Sequence, residues 1–262
     1  MTLRIIITLL TLALSGLAWS AKEKSPQIAT DPSAATPTKK ASAAPASEAE
    51  KLYQRYVRLH GKMVLAIACV QNPKCIEPED EVYKYSSALV RITDRLDDLV
   101  KQKDLDASYY RGLIAYERGR YYVGRAMLIT DPDFILSATV FRRHSLDQFR
   151  IAEKNLTINA ALKNPDACKY LGDIADQGYL GLKNKDKATD YYYCAALAYL
   201  DQGKKNAAAD MYNAMKNTAL HNDPRTIEIY ARLHNDPVAT NWRKSSSQTT
   251  QVDLEQSKIN RQ

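Results

Sequence analysis

The stretch Ala167–Leu200 decides the fold, and it reads ACKYLGDIADQGYLGLKNKDKATDYYYCAALAYL. Leu171 and Gly172 lie in a first segment with helical character, and a glycine-containing turn at 178–181 follows that segment. A second helix is predicted to begin at Lys187-Ala188 and to continue through the tyrosine run 191–193. The stretch therefore predicts two helices joined by a short turn.

The sequence on either side of this stretch carries the same helical signal. Apolar residues recur every three or four positions over 48–70, 78–103, 134–162 and 206–220, which predicts four further amphipathic helices. Asp223-Pro224 predicts the start of a short final helix. The two N-terminal segments are expected to form a hairpin across the turn signal Asn72-Pro73.

Residues 104–130 form another unit, in which glycine and tyrosine recur at regular intervals. We expect Gly112 to let two helices approach closely and Gly119 to end the first of them. Gly124 is then expected to accommodate the bulk of the opposing helix. The unit predicts a further helix pair.

These patterns carry a family resemblance. Ala167–Leu200 resembles a Sel1-like repeat, and 104–130 is similar to the related tetratricopeptide repeat. The resemblance implies an all-α fold, a right-handed α-solenoid of antiparallel helix pairs. Repeats of that kind hold partners and rarely do chemistry, so the resemblance also implies a binding function.

Composition divides the rest of the chain. Residues 1–20 combine a short basic flank, an apolar core and small residues before Ala21, as in a secretory signal peptide. The apolar run is short for the ~20 residues of a membrane span, which disfavours an anchor. Disorder is predicted for the Ala-, Pro- and Ser-rich linker 21–48 and the polar tail 239–262. A helical hairpin is expected at 49–103 and the repeats at 104–238.

The four cysteines suggest two disulfides, since an even count is typical of exported proteins. Three pairings are possible. The turn between Cys69 and Cys75, and the similar distances of Cys168 and Cys194 from the turn near Leu182, favour 69–75 with 168–194. Some secreted Sel1-like proteins bridge their helix pairs in this way, and Cys168 stands where such a cysteine falls. A zinc site would need closer spacings such as C-x2-C.

The charge of the chain is basic but evenly spread. Thirty-seven Lys and Arg against 30 Asp and Glu give a formal net charge of +7. Basic residues such as Lys183 and Lys185 alternate with acids, and no run of five or more basic residues occurs. This pattern favours a solvated mixed-charge surface over a nucleic-acid-binding one.

Motifs for catalysis are missing from the sequence. It contains no G-x-S-x-G, no G-x-G-x-x-G and no H-E-x-x-H, and His60, His144, His221 and His234 have no metal-ligand spacing. We therefore expect no catalytic residue, no cofactor and no metal site. A cell-wall enzyme is the least favoured interpretation.

The 17 tyrosines are the unusual resource of this chain. Adjacent residues of a helix point in different directions, so part of each tyrosine cluster faces away from the local core. Such rings either pack between repeats or line a groove that binds a peptide or glycan. The candidate partner-binding residues are Tyr109, Tyr110, Tyr122, Tyr192 and Tyr193.

These features lead to one functional expectation and one alternative. We expect a non-enzymatic periplasmic scaffold that binds protein partners and supports a cell-envelope structure. The family resemblance makes the type IV pilus one candidate. The alternative is a secreted factor that acts on a host or a neighbouring cell. No integral membrane segment is expected after signal cleavage.

Overall fold

A computed structural model describes residues 45–70, 78–220 and 222–234. Within these residues the chain forms eight α-helices and one short 3-10 helix, with no strand. The predicted all-α class is confirmed. The chain divides into two compact units between Gln148 and Phe149. The predicted boundary at 103/104 falls inside the first unit, between its second and third helices.

Three helices of the first unit pack against one another. They are α1 (Glu48–Val70), α2 (Pro78–Lys101) and α3 (Leu105–Leu128). A 3-10 helix at Pro132–Phe134 follows, and α4 (Ile135–Ala161) begins directly after it.

The core of the first unit lies where α1, α2 and α3 meet. Residues on one face of α2, including Leu89 and Leu96, are buried with Tyr56 of α1 and Ile114 of α3. Removing a side chain of this size from water is worth about 1.5–3 kcal/mol. The apolar stripe that the sequence predicts for α2 is therefore the face that packs against α1 and α3.

The second unit is organised around one helix. Its helices after α4 are α5 (Pro165–Gln177), α6 (Lys185–Asp201), α7 (Lys205–Thr218) and α8 (Pro224–His234). Helix α6 packs against α5, α7 and α8. Its alanines at 195 and 196 are fully buried together with Met215 of α7 and Ile229 of α8. Small residues on α6 allow its neighbours to approach closely.

The helix pair predicted at 167–200 is present, with shifted ends. Asn164 caps α5, because its Oδ1 accepts from the backbone N of Ala167 at 3.0 Å. Pro165 occupies the first helical position, so the cap precedes it and Asp166 lies inside the helix. Helix α6 begins at Lys185, two residues before the predicted start, with Asn184 as its cap.

The turn between α5 and α6 depends on glycine. Gly178 ends α5 in the left-handed region, at a φ of 68°. A Cβ at this position would lie 2.9 Å from the carbonyl oxygen of Gly181. The sequence-based prediction of a glycine turn is confirmed at this residue.

The helix pair predicted at 104–130 is wrong. Residues 105–128 form the single continuous helix α3, and Gly119 lies buried in its middle instead of at its end. A Cβ on Gly124 would meet no described atom within 4 Å, so no opposing helix packs there. A helix-interior glycine costs only about 1 kcal/mol, and the packing of neighbours such as Ile114 outweighs it.

One predicted disulfide is present. Cys168 on α5 and Cys194 on α6 are bonded, with their Cα atoms 6.0 Å apart. Cys75 lies outside the described residues, so its pairing with Cys69 stays a prediction. The predicted signal peptide, the predicted tail and residues 21–44 of the predicted linker also lie outside the described residues, and α1 already begins at Glu48. None of the described helices combines the length and the apolar composition that crossing a membrane requires.

Candidate partner-binding surfaces

Two of the five candidate tyrosines lie together on the first unit, with a third tyrosine that the sequence did not single out. The rings of Tyr53 on α1 and Tyr110 on α3 stack with centroids 4.8 Å apart and planes at 19°. Tyr109 meets Tyr110 edge-on at 5.2 Å. All three side chains are half-buried. We call Tyr53, Tyr109 and Tyr110 the tyrosine cluster.

Carboxylates surround the tyrosine cluster. Burial is the main reason that the pKa of Tyr53 is raised, followed by the charge of Glu117 on α3. Burial likewise raises the pKa of Tyr110, followed by the charges of Glu50 on α1 and Asp106 on α3. No cation acts on either ring to oppose these effects among the described residues. The cluster therefore lies in a negative local field.

The sequence carries a local signal for the position of Tyr53 at the edge of a packed face. Tyr53 lies next to Leu52 and three residues before Tyr56, so it borders the apolar stripe of α1. A ring at the edge of a packed stripe is half-exposed, with one face open to a neighbouring helix. Which helix fills that place depends on tertiary packing, and only the structure shows that α3 does so.

Tyr122 lies between α3 and α4. Its ring stacks on Phe141 with centroids 6.1 Å apart and contacts His144 at 5.5 Å. It also meets the ring of Tyr121 at 5.5 Å. The half-buried Tyr122 is thus engaged in helix packing within the first unit.

The neighbour Tyr121 carries an unsatisfied group. Its hydroxyl is buried and has no hydrogen-bond partner among the described residues. Burial raises the pKa of Tyr121 to about 12, and the charge of Arg125 opposes that effect only partly. The hydroxyl therefore lowers the stability of the fold, because it is buried without a hydrogen bond.

Tyr192 is a core residue of the second unit. Only 4 % of it is exposed, and its hydroxyl donates to Asp173 Oδ1 of α5 at 2.9 Å. Its ring covers Gly172, where a Cβ would lie 2.5 Å from Cε1. Tyr192 therefore joins α5 to α6 by packing and by a hydrogen bond. It packs between helices and does not line an open groove.

Tyr193 and Tyr199 make similar links. The Tyr193 hydroxyl donates to Glu228 Oε2 of α8 at 2.5 Å, and the Tyr199 hydroxyl donates to Asp166 of α5. Burial raises the pKa of Tyr199 above its usual range, and the hydrogen bond to Asp166 adds to the effect. Tyrosine–carboxylate pairs thus join α6 to its neighbours, which accounts for much of the tyrosine content of this helix.

A second surface was missed by sequence reasoning. Six large apolar side chains between residues 127 and 140 are exposed, and the fractions reach 74 % for Met127 and 78 % for Leu136. The six are Met127, Leu128, Phe134, Ile135, Leu136 and Val140. We call them the apolar surface. The sequence signal for this surface is the apolar run on both sides of the helix-stop residues 131–133.

The described residues form no metal-binding cluster: no three His, Cys, Asp or Glu side chains among them are placed to hold a metal ion. His60 stacks on Tyr56 at 5.8 Å, and burial, followed by the charge of Arg118, lowers its pKa. His144 contacts Tyr122, His234 contacts Tyr230, and His221 lies outside the described residues.

A scan against protein-family models and searches of curated proteins and of solved structures found no match to this chain.

Proposed function

We propose that this protein is a non-enzymatic scaffold that binds a protein partner through the apolar surface of its first unit. The exposure of Leu136, Met127 and their neighbours is the observation that carries the proposal. A concentration of exposed large apolar side chains is typical of a surface that binds a partner. Binding such a surface is favourable because each buried side chain leaves water.

The second unit supports the scaffold role in a different way. Its tyrosine hydroxyls and carboxylates are paired with each other between helices, as Tyr192 is with Asp173 and Tyr193 with Glu228. Groups that are tied up in this way stabilise a fixed shape and are not free for proton transfer. The bond between Cys168 and Cys194 adds a covalent link to the same helix pair.

The repeat architecture is part of the proposal. Antiparallel packing of α5 and α6 is supported by the order of their contacts. As the residue number rises along α5, the number of the partner on α6 falls, in the pairs Asp166–Tyr199, Cys168–Cys194 and Asp173–Tyr192. A Sel1-like helix pair, with further helices stacked on it in a right-handed sense, would have this order.

The cell envelope is the proposed location. A structural disulfide forms and persists in an oxidising compartment such as the periplasm. The leader at residues 1–20 is proposed to direct export, and the scaffold is then proposed to support the assembly or stability of an envelope structure. Fractionation of cells tests this part, since a scaffold stays in the periplasm and a secreted factor appears in the medium.

Photo-crosslinking in living cells tests the partner directly. A photoreactive amino acid placed at Leu136 or Met127 is expected to capture the same discrete partner. The same probe at Lys84 or Arg91, which are exposed on α2 of the same unit, serves as the control. Equal capture from all four positions, or none from the apolar surface, would contradict the proposal.

A further inference from the structure

We propose that the tyrosine cluster, together with Glu50 and Asp106, binds a lysine- or arginine-bearing extended segment of a partner protein. This site is separate from the apolar surface in sequence and in chemistry, and it rests on independent observations.

The first observation is that these two carboxylates are unpaired where comparable acids are paired. Nearby in the same unit, Glu48 of α1 binds Arg95 at 2.8 Å and Asp97 of α2 binds Arg111 at 2.8 Å. Among the described residues, Glu50 and Asp106 have no ion-pair partner. Both acids lie in the first turn of their helices, where the helix N-terminus favours a negative charge, and no ion-pair partner competes with an incoming cation.

The second observation is the position of the carboxylates relative to the rings. Glu50 lies three residues before Tyr53 on α1, and Asp106 lies four residues before Tyr110 on α3. These spacings place each carboxylate on the same helix face as its tyrosine. The charges of both carboxylates reach the hydroxyl of Tyr110, which stacks on Tyr53, and an acid beside an aromatic ring is the arrangement that an ammonium or guanidinium group requires.

The third observation is a contrast with other tyrosines of the chain. Lys169 lies 4.8 Å from the ring centroid of Tyr170, and Lys187 lies 5.8 Å from that of Tyr191. Cations of this chain also lie over the rings of Tyr116, Tyr199 and Tyr212. No cation of the described residues lies over Tyr53 or Tyr110. The rings of Tyr53 and Tyr110 can therefore accept a cation from a partner, whereas other tyrosine rings already contact a cation of this chain.

The rings are also prepared for binding. Stacking on one another fixes the rings of Tyr53 and Tyr110, so little side-chain freedom is lost when a ligand arrives. No hydrogen bond to a described residue occupies their hydroxyls. The hydroxyls can therefore bind backbone groups of an extended segment while the carboxylates bind its cations.

The field around the cluster gives the bound segment a direction. One turn further along α1, burial raises the pKa of Tyr56, and the charges of Arg118 and Arg111 oppose that effect. Negative charges therefore act at Tyr53 and Tyr110, whereas arginines act at Tyr56. A partner segment is expected to place its Lys or Arg beside Glu50 and Asp106.

A peptide-binding assay on the full chain tests the site. The probe is a fluorescein-labelled octapeptide of alternating glycine and lysine, compared with octapeptides that carry serine or glutamate in place of lysine. The chain has a net charge of +7, so it repels the lysine probe at long range and only a local acidic site can bind it. Fluorescence anisotropy is expected to show binding of the lysine peptide alone, weakening between 50 and 300 mM salt.

Charge-neutral variants locate the binding. Glu50→Gln with Asp106→Asn is expected to weaken the lysine peptide at least about five-fold. The matched control is Glu81→Gln with Asp80→Asn, which changes the net charge equally on α2 of the same unit. The control acids lie far from the tyrosine cluster. Glu81 is about 14 residues, or ~21 Å along the axis of α2, from Arg95, which binds Glu48 near the cluster. The control is expected to change the affinity less than two-fold.

Ring variants complete the test, with the fold checked by circular dichroism. Tyr110→Phe keeps the stacked ring but removes the hydroxyl and is expected to retain part of the affinity, whereas Tyr110→Leu is expected to lose it. Equal binding of the lysine and serine peptides, or equal effects of the two charge variants, would overturn the proposal. Binding of a neutral chitooligosaccharide, without binding of the lysine peptide, would also overturn the proposal.

Discussion

Gly172 and Tyr192 face each other across the contact between α5 and α6, with no room for a methyl group between them. A Cβ built on Gly172 would lie 2.5 Å from Cε1 and 2.6 Å from Cδ1 of the tyrosine ring. The ring cannot move aside easily, because it is buried and its hydroxyl is bonded to Asp173. The Leu-Gly pair that first indicated a helix hairpin is thus a packing requirement.

The first prediction concerns this contact. Gly172→Ala is expected to destabilise the protein by up to about 2 kcal/mol, since overpacking costs ~1–3 kcal/mol and the gain in helix propensity returns about 1 kcal/mol. Urea unfolding followed by circular dichroism measures the change. Gly124→Ala is the control: it lies in α3 with no described atom within 4 Å of the added methyl group. It is expected to be neutral or slightly stabilising, and equal losses for both variants would refute the steric account.

The second prediction compares two tyrosine hydroxyls. Tyr192→Phe removes a hydrogen bond to a carboxylate and is expected to cost about 1.5–3 kcal/mol. Tyr121→Phe removes a buried hydroxyl without a partner in the described part of the chain, so it is expected to be neutral or to stabilise by about 1 kcal/mol. The free energies of unfolding of the two variants, compared with that of the parent protein, test this prediction. A loss of stability in Tyr121→Phe would mean that its hydroxyl has a partner.

The third prediction concerns the disulfide. Closing a loop with a sequence separation of 26 residues is worth about 3.5 kcal/mol in the chain-entropy model. Cys168→Ala with Cys194→Ala is therefore expected to lower the free energy of unfolding by about 2–4 kcal/mol. Mass spectrometry of the non-reduced, digested protein should find the 168–194 peptide pair, and a peptide joining Cys168 to any other cysteine would contradict it.

The fourth prediction concerns acid. Hydrogen bonds from the Arg225 guanidinium are the main reason that the pKa of Asp223 is lowered below its usual value. A carboxyl with a lowered folded-state pKa stabilises fully above its unfolded pKa of ~4, and that stabilisation is lost as the pH falls towards the folded pKa. Stability is expected to fall between about pH 5 and pH 2.

Replacing the carboxyl checks its share of this loss. Asp223→Asn is expected to be less stable than the parent at neutral pH by about 1–3 kcal/mol, with a flatter acid profile. Arg225 also binds Asp186 at 2.7 Å, so part of the salt-bridge network remains in the variant. Asp210→Asn, at an exposed position of α7, is the control and should leave the profile unchanged. Identical profiles for the parent and Asp223→Asn would contradict the assignment.

The helices could be predicted because their signals are local. The apolar stripe of α1 and the glycine turn after α5 depend on residues within one or two turns, so the predicted range 48–70 agrees with the observed helix. Gly119 failed as a helix end because its burial among neighbours of α3 is a tertiary effect, which local propensity does not include. The hydrogen bond from Tyr199 to Asp166 is likewise a tertiary contact that local signals do not reveal.

The candidate site was predictable only in part. Tyrosine clusters were visible in the sequence, but the direction of each ring depends on which helix lies beside it. Tyr192 faces α5 and is buried, whereas Tyr110 meets Tyr53 at a half-exposed place. The apolar surface needed the structure as well, because Leu136 and Met127 have the composition of core residues and only their exposure distinguishes them.

The measurement that tests the scaffold function most directly is the affinity of the captured partner for variants of the apolar surface. Leu136→Ser with Met127→Ser is expected to weaken binding at least about ten-fold, because truncating central apolar residues of an interface costs more than 1 kcal/mol each. Val90→Ser, at an exposed apolar position of α2, is expected to change the affinity less than two-fold. Unchanged affinity in the double variant, with an intact fold, would contradict the account.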